Sequence, residues 1–116
     1  MSETVTVSSH FEGRDPILRK TYDHLIKVLR GFGPLKEEPH KTSIHLVNHS
    51  ALAGVEARKD YILLNVKADH EISSPRIVKT EKISAKRFHH KFKLTAPKEI
   101  DAEMKKWLKE AYELSA

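Results

Sequence analysis

The chain has 116 residues, no cysteine, and 21 Lys or Arg against 16 Asp or Glu, a formal charge of +5. That length suits one domain with one modest core, and 39% apolar with 32% charged residues excludes a disordered or fibrous chain. The missing thiols exclude disulfides, thiol catalysis and thiolate metal sites, and no apolar run approaches the roughly 20 residues of a membrane-spanning helix.

Residues 1–9 are polar and β-branched without a period, and read as a flexible tail ahead of a single domain over 10–116. The N-terminus lacks the basic start and apolar stretch of a signal peptide, so a cytoplasmic protein is the simplest expectation. From Asp15-Pro16 the spacing predicts a helix, with Asp15 as cap and Pro16 at the first helical position. Ile17, Leu18, Tyr22, Leu25, Ile26 and Leu29 form its apolar face; Gly31, Gly33 and Pro34 end it. Lys36–His40 reads as a polar connector.

The middle of the chain is strand-like. Thr42–Val47 alternates, Ala51–Ala57 and Tyr61–Ala68 follow as second and third strands, and Ile62, Leu64, Val66 and Ala68 face the core. Asp69–Pro75 reads as a loop. Two more strands, 77–83 and 87–94, form a hairpin around Ser84-Ala-Lys86. A last helix is predicted from near Pro97, with Ile100, Met104, Trp107, Leu108, Ala111 and Leu114 on one face. The order predicts an α+β fold: an N-terminal helix, a mainly antiparallel sheet of about five strands, and a C-terminal helix, with both helices on one sheet face.

Several blocks in this order resemble one family: KTSIHLV, AGVEARKDYILLNVKA, SSPRIVKTEKIS, RFHHKFKLTAPKEID and WLKEAY. The chain is similar to the bacterial and archaeal domain of unknown function 5655 over roughly residues 10–115. The matching positions are Lys41-Thr42, Arg58-Lys59, Pro75-Arg76 and Ala111-Tyr112; the Asp of the family's Asp-Pro-Arg turn is Ser74 here. The resemblance implies a compact domain that occurs alone or at the C-terminus of larger proteins described as predicted transport proteins. It implies no activity.

The most informative stretch is 76–93, RIVKTEKISAKRFHHKFK. It carries seven cations against Glu81 alone, leaving 14 of the 21 cations against 15 of the 16 acids elsewhere. Arg76, Lys79, Lys82, Lys86, Arg87, Lys91 and Lys93 are therefore candidate contacts to an anionic partner, nucleic acid first among them, through phosphate neutralisation. The competing reading is that lysines guard an exposed edge strand. Alternation divides the cluster between two faces and a turn, with His89, Lys91 and Lys93 outside and His90 beside Phe88 and Phe92.

Evidence for catalysis is thin. His45 and His49 have helical i, i+4 spacing but lie on a strand running into a turn, which separates them by roughly 13 Å. No metal site or cofactor is expected. No Gly-x-Ser-x-Gly or Ser-x-x-Lys pattern occurs, and Gly31-Phe-Gly33 follows a helix where a phosphate loop precedes one. An alternative is a small-ligand pocket or enzyme site of His90, Tyr61, Lys41, Arg58 and Lys59 near strand ends. A third is a protein-interaction domain, dimeric through a strand face bearing Tyr61 and Leu63. Monomer and dimer both remain open, and the leading expectation is a non-catalytic binding module.

Overall fold

The computed structural model describes residues 6–115. Residues 1–5, the greater part of the predicted tail, lie outside it; within the rest, Ser8–Phe11 makes a 3₁₀ turn that sets Phe11 into the core against Tyr22. Helix α1 is Pro16–Arg30, opened as predicted by Pro16 and by Asp15, whose carboxylate accepts the Ile17 N–H at 3.0 Å. Its stripe of Leu18, Tyr22, Leu25, Ile26 and Leu29 is buried.

Six strands follow: β1 Lys36–Pro39, β2 Ile44–Val47, β3 Ala51–Ala57, β4 Ile62–Ala68, β5 Ile77–Ser84 and β6 Arg87–Leu94. Every pair is antiparallel and the order is β1-β2-β3-β4-β6-β5. One correction to the sequence reading arises here. Residues 36–39 are an edge strand rather than a connector, which makes six strands instead of five. This strand has no buried face to reveal it; it is pinned by Glu37, which accepts the Tyr22 hydroxyl at 2.6 Å and pairs with Arg30 at 3.0 Å. The chain also passes β4, forms the outer strand β5, and returns as β6 between them. The strand with an alternating apolar face thus takes the inner place.

Helix α2 begins later than predicted, at Ala102, and runs to Leu114. Pro97–Glu99 is a separate 3₁₀ turn, and the helix starts only where Asp101 accepts the Met104 N–H at 3.0 Å. Leu114, expected on the apolar face, is exposed; Tyr112 is buried instead and donates to the Pro34 carbonyl at 2.8 Å. Gly33 lies on the positive-φ side, and any side chain there would strike that tyrosine.

Both helices pack on one sheet face, where Ile44, Leu46, Val55, Ile62, Leu64, Val66, Phe92 and Leu94 join Leu18, Leu25, Met104 and Leu108 in one core. Among the described residues, the opposite face carries no helix. No helix among them is long and apolar enough to cross a membrane.

Candidate functional site

The helix-free face is built by alternation. Because core side chains claim every second position, the strands send Ser43 and His45, Gly54 and Glu56, Leu63, Asn65 and Lys67, and His89, Lys91 and Lys93 to the other side. Register then aligns them in rows. One row crosses all six strands as Glu38, His45, Gly54, Asn65, Lys91 and Lys79; the next brings Lys67, His89 and Glu81 side by side.

The seven cations of the basic segment are divided as alternation predicts. Lys79, Arg87, Lys91 and Lys93 belong to the helix-free face. Lys82 lies on the other side, its ammonium 6.0 Å from the centre of the Phe88 ring, and Lys86 sits in the hairpin turn. Arg76 is engaged elsewhere. Its guanidinium bonds Asp101 at 3.0 Å, Glu103 at 3.2 Å and the Glu99 carbonyl at 2.6 Å, and lies over Trp107. It ties the start of β5 to the start of α2.

Lys67 joins the four facing cations, and sequence reading did not single it out. It stands beside His89 across β4 and β6, close enough to Arg87 to feel its charge. Its ammonium is held below the usual lysine range by burial first and by Arg87 second. His89 is likewise held below the usual imidazole range. Burial is the main cause; Lys67, Arg87 and Lys91 act in the same direction, and Glu81 opposes them. Glu81 pairs with Lys91 at 3.1 Å and is the carboxylate closest to this cluster. Lys93 sits 4.6 Å from the centre of the Tyr61 ring.

Between these groups the surface dips. Gly54, in the middle of β3, leaves a hollow of about 150 Å³ walled by His45, Asn65, Lys67 and His89. It continues past Gly54 into a second hollow of about 210 Å³ that reaches Leu63 and Lys91. His40 folds over His45 with ring centres 4.2 Å apart. A larger hollow of about 310 Å³ lies on the far side, between Ala68 and α2, but Asp69, Glu110 and Glu113 line it and would repel an anion.

The five residues of the alternative pocket are not gathered in one place. Arg58, Lys59 and Tyr61 lie at the β3–β4 turn, and Lys41 lies at the β1–β2 turn at the same end of the sheet. His90 is four residues along β6 from that end, roughly 13 Å away, and on the core face. It is fully buried, stacked near Phe88, and its Nε2 accepts the Ile72 N–H at 3.0 Å. Arg58 pairs with Glu56 at 2.6 Å.

Gly54, Asn65, Lys67 and the His40–His45 pair escape the sequence reading because they lie on different strands and meet only through register. Two signals were present: a glycine inside a predicted strand, and the polar positions alternating with Leu64, Val66 and Ala68. Searches of the curated proteins and of the solved structures return no match. Residues 7–115 match the family described as a domain of unknown function (DUF5655), and the chain belongs to that family.

Proposed function

We propose that the protein is a non-catalytic binding module whose helix-free sheet face takes an anionic partner, nucleic acid. The observation that carries this reading is the crowding of Lys67, Arg87, His89 and Lys91 around one paired carboxylate, Glu81. Like charges held together in partly buried positions weaken a fold unless something neutralises them. The core does not need these groups, since the buried residues of β4 and β6 all point the other way.

Phosphates match the pattern. Lys67, Lys79, Arg87, Lys91 and Lys93 spread over β4, β6 and β5 rather than converging on one point, as backbone contacts to a polymer require. Phe88 and Phe92 face the core and offer no stacking surface, so the imidazoles of His40, His45 and His89 and the Tyr61 ring beneath Lys93 are the rings on this side. In a salt titration by fluorescence anisotropy, a labelled 20-residue oligonucleotide should bind at low ionic strength. Four or five contacts on a single strand predict a slope of log K against log salt of about −3. No retention of any oligonucleotide at low salt would overturn the proposal.

A further inference from the structure

We propose that the hollow over Gly54 seats one unstacked nucleobase, which makes single-stranded nucleic acid the preferred partner; the inference rests on the anion-binding face above and adds a base-sized site to it. Glycine weakens the interior of a strand, so its presence at a central position asks for a reason. At Gly54 the backbone supplies none, because its φ is not positive. Packing supplies none either. A Cβ built there would meet only the Asn65 Cβ, at 4.0 Å, an ordinary contact. What a side chain at this position would remove is the hollow itself.

Its size and lining match one class of ligand. A volume of about 150 Å³ equals that of an engineered cavity that accepts a benzene ring, so one planar ring fits. The Asn65 Oδ1 is shielded from solvent and has no hydrogen-bond partner among the described residues. With no partner to hold that oxygen, the carboxamide is free to turn it into the hollow, where it meets a base edge through both its acceptor and its donor. Lys67 and His89 on the same wall want negative charge. A ligand with N–H donors on a ring and a phosphate next to it satisfies both, and a nucleotide is such a ligand. His45, with the His40 ring tilted against it, provides an aromatic wall at the remaining side. A duplex keeps its bases stacked and paired and so cannot fill the hollow, whereas a single strand can turn one base inward.

The test compares three labelled probes of equal length by fluorescence anisotropy: a mixed-sequence single strand, its abasic counterpart with the same phosphates, and the blunt duplex. The wild-type protein should bind the base-bearing strand at least about tenfold more tightly than the abasic strand and the duplex. Gly54→Val, which fills the hollow and suits a strand, should reduce the base-bearing strand to the abasic level without changing the salt slope. Asn65→Leu should lower the same preference and leave abasic binding intact. Equal wild-type affinity for base-bearing and abasic strands would overturn the base site while leaving the charged face standing, and so would a preference that survives both variants. Absence of binding to every probe at low salt would overturn both proposals together.

Discussion

His89 and His90 are neighbours in sequence and opposites in role. His90 faces the core, where burial is the main reason its imidazole is held below its ordinary value of 6.5. The folded state therefore keeps it neutral, and the unfolded chain binds the extra proton. Its contribution to stability is full above about pH 6.5 and declines as pH falls from there towards the lowered folded-state value. His90→Leu should make the fall in melting temperature between pH 7 and 5 shallower than in the wild type. The same variant orphans the Ile72 N–H, a loss of about 1–3 kcal/mol at neutral pH. His89 faces outward among Lys67 on β4, Glu81 on β5, and Arg87 and Lys91 on its own strand. A phosphate arriving there favours the charged imidazole, so binding takes up a proton. Oligonucleotide affinity should rise about three- to tenfold between pH 8 and 5.5 at constant ionic strength, and His89→Gln should flatten most of that rise. An unchanged pH profile in His89→Gln would separate this side chain from the binding face.

At the scale of elements, the outer strand β5 pairs with β6 and is tied to α2 at its start. At its start, Arg76 reaches Asp101 and Glu103 in the first turn of α2 and the Glu99 carbonyl before it. These partners are about half exposed, so the network is worth less than a buried one. Arg76→Ala should lower stability by about 1–2 kcal/mol in urea unfolding and leave oligonucleotide binding within twofold. Along its length β5 exposes Val78 and Ile83, more than half accessible, at positions where the ladder is irregular. An open edge carrying two apolar side chains invites another strand. Lys79 and Lys82 stand between them, and replacing both by Val should produce concentration-dependent association in sedimentation velocity.

The same scale explains what was legible in the sequence. Strands β4 and β6 announce themselves because each places an apolar residue or His90 at every second position against the helices. Helix α1 does so through its stripe and its cap. Strand β1 does not. Lys36–Pro39 has no core face, and its strand character comes from pairing with β2 and from the grip of Tyr22 and Arg30 on Glu37. The start of α2 was misplaced because Pro97 and Glu99 are ordinary helix-opening residues that here close a short 3₁₀ turn, leaving Asp101 to cap the helix.

For the whole molecule, the sheet has one face closed by two helices and one free of them, and the charge follows that division only in part. The basic segment carries a net +6 in sequence, yet Arg76 is neutralised at α2, Lys82 lies on the other side and Lys86 is in a turn. In exchange the open face gains Lys67 from β4 and the glycine-floored hollow between β2 and β4. The gathering was hidden from sequence because it depends on register between strands up to some forty positions apart, from His45 to His89. The candidate site is thus a property of the fold, while the charged hairpin is a property of the chain.

That distinction can be measured with two double reversals of equal charge, Lys67→Glu/Arg87→Glu on the open face and Lys82→Glu/Lys86→Glu away from it. Each is titrated against the same single-stranded oligonucleotide at fixed salt, with melting temperatures confirming the fold. The first pair should weaken binding at least about tenfold, and the second by no more than about threefold. Equal losses in the two variants would mean that net charge alone attracts the strand, and would contradict a binding face on the open side of the sheet.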